Sequence, residues 1–166
     1  AASRHTKHAP TAAIVERFGD YPNAGAFATE MRIHTGYLYF SSELIVYRQK
    51  LSPNKLIPEG VIEPIVKDPY PIRWHNAKSI AFDNNGGLYV TFSAPTNACE
   101  DKNATQLNPN GIVMGENPCS QLDILGGIWK FDANKQDQSQ LDGQRFATGI
   151  RSVVAISWNE EDDKLY

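Results

Sequence analysis

A chain of 166 residues has the length of one domain. Its formal net charge of −3 at pH 7 argues against a nucleic-acid binder, which would carry a basic face. Its 41% hydrophobic and 21% charged shares exclude wholesale disorder. No apolar run reaches the roughly 20 residues needed to span a bilayer, and no secretory leader is visible.

Gly and Pro are spread along the chain and aromatics make up 10% of it, which favours many short strands joined by turns. Residues 1–13 read as a disordered or loosely attached arm, and residues 14–166 as the folded body. Ile14 to Phe18 is expected as a first short strand, and Arg32 to Phe40 as strand, turn, strand. Glu43 to Leu51 alternates apolar and polar residues and suits a half-buried strand. Pro53-Asn54 and Pro58-Glu59-Gly60 read as turns. Ile62 to Val66 contains Pro64 and belongs on a sheet edge. The clearest hairpin joins Ser79–Phe82 to Leu88–Phe92 through Asp83-Asn84-Asn85-Gly86-Gly87, residues that accept positive φ. Gly127–Asp132, Arg145–Thr148 and Val153–Trp158 complete the strands. Lys135–Gly143 is polar and turn-like, and no segment has a sustained helical period.

Cys99 and Cys119 are the only cysteines. Neither stands at metal-ligand spacing, and the Asn-, Pro- and Gly-rich stretch between them is a loop. Two readings stand. A disulfide closing residues 99–119 would stabilise the fold by roughly 3 kcal/mol and imply an oxidising compartment. Otherwise the two are unpaired small residues of a cytosolic protein. The triplet Asn103-Ala104-Thr105 fits a glycosylation sequon, a pattern frequent by chance.

An internal repeat indicates the architecture. Ser79-Ile80-Ala81-Phe82-Asp83 followed by Leu88-Tyr89 recurs as Ala155-Ile156-Ser157-Trp158-Asn159 followed by Leu165-Tyr166, with a weaker copy at Gly36–Phe40. The intervals are 50 residues from Leu38 to Leu88 and 77 from Leu88 to Leu165, the longer one containing the cysteine loop. Short strands at such a period point to an all-β fold made of β-propeller blades. Two to three blades cannot close a ring of about four to eight. The chain is therefore expected to be a propeller fragment with open sheet edges, which invite self-association.

Phosphate-loop, dinucleotide, zinc-protease, haem and serine-hydrolase signatures are absent. His5 and His8 lie in the arm, and His34 reads as a surface residue. His75 stands immediately ahead of the best strand, where propeller residues face the central channel. Its neutral imidazole suits proton abstraction from an alcohol; the alternative is a hydrogen-bonded structural histidine. Arg151 holds the same place in the next repeat and suits an oxyanion or carboxylate; the alternative is an inter-blade salt bridge.

These motifs resemble the glucose/sorbosone dehydrogenases. The resemblance rests on His75–Phe82 through Gly87–Val90, on Gly126–Asp132, and most on Gly143–Arg151, and covers roughly residues 30–166. It implies a six-bladed propeller that binds pyrroloquinoline quinone (PQQ) and calcium near its axis. It also implies oxidation of aldoses or related alcohols, with electrons passed to an external acceptor such as a cytochrome or a quinone. His75 would be the base and Arg151 the cation that polarises the quinone, with Asn76 and Ser152 as further cofactor contacts. The cysteines around Asn117-Pro118-Cys119 look like those of a periplasmic subgroup, so a periplasmic or secreted location is expected. Ser152 stands where the family has Asn, and Trp74 where some members carry an acid. Most cofactor ligands would lie beyond Tyr166, so the chain alone is expected to be inactive. The reading from a different class is a propeller that binds a glycan or protein partner without catalysis.

Overall fold

The computed structural model describes residues 14–18, 30–68, 75, 77–100, 109–112 and 114–166. The expected arm at residues 1–13 and the sequon Asn103 lie outside the described residues. Two antiparallel meanders dominate. The first comprises β1 (Glu30–His34), β2 (Tyr37–Ser41), β3 (Ile45–Lys50) and β4 (Glu59–Lys67). The second comprises β5 (Ile80–Phe82), β6 (Gly87–Phe92), β7 (Gly127–Asp132) and β9 (Gln144–Thr148). Between β7 and β9 the chain forms β8 (Gln138–Ser139), and β10 (Trp158–Asn159) pairs with β11 (Lys164–Leu165) as a last hairpin. The chain is all-β, two four-stranded propeller blades followed by the opening hairpin of a third. Among the described residues the only helical pieces are two short 3₁₀ turns, and no helix is long and apolar enough to cross a membrane.

Local chemistry explains the turns. Thr35 and Gly36 both have positive φ (46° and 79°), the geometry of the tight hairpin joining β1 to β2. At the β5–β6 turn the Asp83 carboxylate accepts the N–H groups of Asn85 (2.8 Å) and Gly87 (2.7 Å). A side chain folding back on its own turn in this way holds the turn closed.

Strand parity then builds the core. Leu88, Val90 and Phe92 point to one face of the second sheet and pack with Ile80, Trp129 and Phe131 against Tyr39, Val46, Ile65 and Val66 of the first. Ala81, Tyr89 and Ile128 point to the opposite face and meet Ile156, Val153, Trp158 and Leu165 of the third unit. Every residue of β6 is consequently buried. β1 lies against β5, and the Arg32 guanidinium reaches the Ile156 carbonyl (3.4 Å). The innermost strands of successive blades thus gather on one side.

Several local expectations are corrected. Ile14–Phe18 forms no strand. Glu59 and Gly60 already belong to β4, which takes in Pro64 through irregular register against β3. The polar stretch after β7 is more than a turn: β8 pairs in parallel with the outer strand β4, and Gln138 Nε2 donates to the carbonyls of Asp132 (2.8 Å) and Lys135 (2.7 Å). One blade thereby latches onto its neighbour. Of Val153–Trp158 only Trp158 is in a strand. Ser157 still exchanges two 2.8 Å backbone hydrogen bonds with Tyr166, but upstream of it the described residues offer no neighbouring strand. His34 is not a bare surface residue. It stacks on Phe82 (4.2 Å between centroids), and burial lowers its pKa against the opposing pull of Asp83.

Gly127 tests the tightness of the outer ladder. A Cβ there would collide with the Ala147 carbonyl oxygen, a backbone atom that cannot swing away. Gly127→Ala is expected to destabilise by about 1–3 kcal/mol, read as a lowered melting temperature. An unchanged melt would contradict the β7–β9 packing.

Candidate functional site

The meander order sends all blade-to-blade connections and all links between second and third strands to one end of the sheets. That end comprises the Ser42–Leu44 link, the lead-in to β5 from His75 to Ser79, the connection between β6 and β7, and residues 149–157. His75 and Arg151 both lie there, five residues ahead of the equivalent core residues Ile80 and Ile156. The expected shared end is therefore what the topology produces. Among the described residues no hydrogen bond or ring contact joins the two side chains directly.

The lead-in to β5 is tightly held. Ser79 N–H donates to Thr91 Oγ1 (2.8 Å), and Thr91 N–H donates to the Ser79 carbonyl (3.1 Å). Residues 79 and 81 share a parity and face the third unit, where Ser79 Oγ approaches the Val153 carbonyl at 3.5 Å. The segment that carries Arg151 is itself fixed: Ile150 N–H donates to the Gly126 carbonyl (2.9 Å), and Ala94 N–H to the Arg151 carbonyl (2.7 Å).

Buried side-chain atoms without a partner occur at this end as well as elsewhere, at Gln140 Oε1 and Trp158 Nε1. Among the described residues, His75 Nε2 and Ser93 Oγ are buried and have no hydrogen-bond partner. Buried polar atoms are rarely left so, and each calls for an explanation. His75 is thus not the fully hydrogen-bonded structural histidine of the alternative reading. Arg151 is exposed and has no ion-pair partner among the described residues, so the inter-blade salt bridge is not found either. Ser152 is half-buried beside it, and Asn76 lies outside the described residues. An imidazole lacking a partner and a solvent-facing guanidinium fit an oxygen-rich anion such as PQQ. Calcium finds no comparable place: among the described residues no group of three His, Cys, Asp or Glu could hold a metal ion.

The long connection has its own scaffold. Cys99 and Cys119 form a disulfide with 5.8 Å between Cα atoms. Glu116 N–H donates to the Cys99 carbonyl (2.8 Å), Gln121 Nε2 to the Glu100 carbonyl (3.1 Å), and Thr96 Oγ1 to Gln121 Oε1 (2.7 Å). The bridge closes a loop of sequence separation 20, so Cys99→Ser/Cys119→Ser is expected to cost roughly 3 kcal/mol. Faster proteolysis between residues 99 and 119 would accompany it, and equal melting and cleavage rates would contradict it.

Below Ser79, a wholly buried ion pair joins Lys78 Nζ to Asp68 Oδ2 (2.8 Å), and the ammonium sits 4.2 Å from the Phe92 ring centroid. At the far end of the sheet, Asp83 pairs with Lys130 (2.6 Å), away from the candidate site. Sequence reading missed Lys78, Asp68 and Ser93, because a lysine or serine beside a strand ordinarily reads as surface. The one available signal was that Lys78 and Ser93 flank the apolar strands β5 and β6.

Comparison of the sequence with protein families and with curated proteins finds no match. Comparison of the fold does. A carbohydrate-active enzyme of family AA12 from Trichoderma reesei, in its iodide structure, aligns at a TM-score of 0.62 with 15% identity, covering 81% of this chain and 31% of that one. Its calcium structure aligns at 0.58 over 78% of this chain and 30% of that one. The holo form of the pyranose dehydrogenase PQQ domain from Coprinopsis cinerea aligns at 0.58 with 14% identity, over 81% of this chain and 31% of that one. The chain thus spans about a third of these structures, and at such identity the likeness is one of fold.

Proposed function

We propose that this chain supplies two blades and part of a third to a PQQ-dependent sugar dehydrogenase of the glucose/sorbosone dehydrogenase type, with His75 and Arg151 at its cofactor end. The carrying observation is the buried, unpartnered His75 Nε2 at the same end of the innermost strands as the unpaired Arg151. A fold shared with a PQQ domain, and with an enzyme of a carbohydrate-active family, supports the reading. When bound, the quinone supplies a two-electron acceptor for the hydride leaving the sugar carbon. His75 Nε2 takes the proton of the hydroxyl on that carbon, so that the carbon becomes a carbonyl or lactone carbon. Arg151 stands as fixed positive charge where negative charge builds, and Ser152 and Asn76 offer further hydrogen bonds. Calcium is carried in this reading by ligands outside the described residues. The disulfide fits a periplasmic or secreted location. Reoxidation falls to an external acceptor such as a cytochrome or a quinone.

The test uses full-length protein reconstituted with PQQ and calcium, following dye reduction with a panel of aldoses. Sugar-dependent reduction that requires the quinone is the expected result, and no reduction with any sugar overturns the proposal. A second reading, a propeller binding a glycan or protein without catalysis, rests on Ser152 standing where the family has Asn. Capture of a glycan by full-length protein that binds no quinone would favour it.

A further inference from the structure

We propose that the Cys99–Cys119 bridge is a redox-releasable clasp on the segment that carries Arg151. Its bearing on the cofactor rests on the proposed role of Arg151; the clasp itself does not. Residues 97–100 form a tight turn: Glu100 N–H donates to the Asn97 carbonyl (2.7 Å), and both central residues, Ala98 and Cys99, have positive φ (45° and 58°). Turns of that hand ordinarily take Gly, Asn or Asp. A residue with a Cβ disfavours the left-handed region by a factor of roughly 5 to 30. The turn is held there by the bond from Cys99 to Cys119 and by Glu116 N–H, which donates to the Cys99 carbonyl (2.8 Å). Cutting the bridge removes the covalent tie and lets the turn relax, so the stored strain favours the thiol form. Both cysteines are half-buried and stand beside the exposed Ala98 and Pro118, within reach of a reagent thiol.

The bridge ties together the two sides of the connection between β6 and β7, and each side holds the Arg151 segment by one backbone hydrogen bond. On the outgoing side Ala94 N–H donates to the Arg151 carbonyl (2.7 Å). On the returning side the Gly126 carbonyl accepts from Ile150 N–H (2.9 Å). Gln121 spans the two sides beside the bridge: its Oε1 accepts from Thr96 Oγ1 (2.7 Å), its Nε2 donates to the Glu100 carbonyl (3.1 Å), and its own carbonyl accepts from Leu125 N–H (3.0 Å). Letting the two sides part therefore loosens both hydrogen bonds at residues 150 and 151. The reductant is a dithiol. One of its thiolates attacks a bridge sulfur, the other cysteine leaves as a thiolate and takes a proton, and the second thiol of the reductant resolves the mixed disulfide. Two electrons and two protons pass to the chain, which ends with two thiols, and the reductant ends as a disulfide.

The test has two readouts that need no quinone. Full-length protein is equilibrated in dithiothreitol buffers of graded reduced-to-oxidised ratio, and free thiols are counted by alkylation while circular dichroism follows the sheets. The bridge should open with the strand signal retained. Ala98→Gly and Ala98→Asn, which suit a left-handed turn, should each need a ratio about 3- to 10-fold more reducing. Amide hydrogen exchange is then compared between the oxidised parent, the reduced parent and Cys99→Ser/Cys119→Ser. Exchange at Ala94 and Ile150 should quicken about tenfold or more without the bridge, while Val90, in the middle of β6, is unchanged. A bridge that opens only as the sheets unfold overturns the proposal. So do Ala98 variants with the parent's ratio, and so does equal exchange at Ala94 and Ile150 in all three forms; should the double serine variant fail to fold, the reduced parent decides. Quinone binding is read by equilibrium dialysis on the double serine variant, because thiols reduce the quinone itself, and should be about fivefold or more weaker than in the oxidised parent. Faster exchange with equal quinone binding keeps the clasp and removes Arg151 from the cofactor, so the two readings fail separately.

Discussion

Full-length protein carrying His75→Ala is expected to lose about 10²- to 10⁴-fold in kcat, the range lost when a positioned base is removed. The reason lies in the atom, not only in the residue type. Nε2 is buried and has no hydrogen-bond partner, so nothing among the described residues competes with a substrate hydroxyl for it. Quinone affinity should stay within a few-fold in His75→Ala, because the proposed function puts the charge that attracts an anionic cofactor on Arg151. The reciprocal change, Arg151→Ala, should weaken quinone binding about tenfold or more, since it removes a charge-assisted fork that no carboxylate of the described chain occupies. Dye reduction under saturating quinone separates the two effects. Equal turnover in His75→Ala and the parent would remove His75 from the chemistry.

The second large effect falls at the other end of the second blade. Asp83 is 2% exposed, and its carboxylate accepts from two backbone N–H groups, from Tyr89 OH (3.2 Å) and from Lys130 Nζ. Asp83→Ala would orphan both N–H groups while Lys130, already 36% exposed, turns back to water. About 2–3 kcal/mol of stability should be lost, mostly the cost of unsatisfied buried donors. For a chain of this length that is roughly 5–10 °C in melting temperature. Burial pushes the Asp83 pKa up, but the hydrogen bonds from Lys130, Gly87 and Asn85 outweigh it and hold the group below the ordinary aspartate value of 3.8. A depressed carboxylate stabilises the fold above its unfolded-state pKa, and this contribution is lost as pH falls through the folded-state value. Acid denaturation below about pH 4 should accordingly be less steep in Asp83→Asn than in the parent. Parallel acid titration curves for the two proteins would contradict the assignment.

Much of this molecule was legible as pattern. The alternation Ile80–Phe82 and Leu88–Phe92, with an Asp-Asn-Asn-Gly turn between, specifies a hairpin because side-chain parity and positive φ are local properties. The recurrence of that hairpin before Leu165 marked the blades, and the stretch between the cysteines read as a loop that a bridge could close. His75 and Arg151 were placed at one end by counting back equally from Ile80 and Ile156, and counting needs no coordinates. Partners distant in sequence could not be read this way. β8 looked like a turn because two residues carry no periodicity, and it exists as a strand only because β4 of the other blade offers an open edge. Val153–Ile156 looked like a strand and is not one, because strandness requires a neighbour as well as alternation. Lys78 and Asp68 look like surface charges in any local window. Burial turns them into a pair, and burial depends on the packing of two sheets whose contacts span tens of residues. Alternation and turn chemistry belong to neighbouring residues and are written in the chain, whereas solvent exclusion and pairing between blades arise only once the sheets have closed on one another.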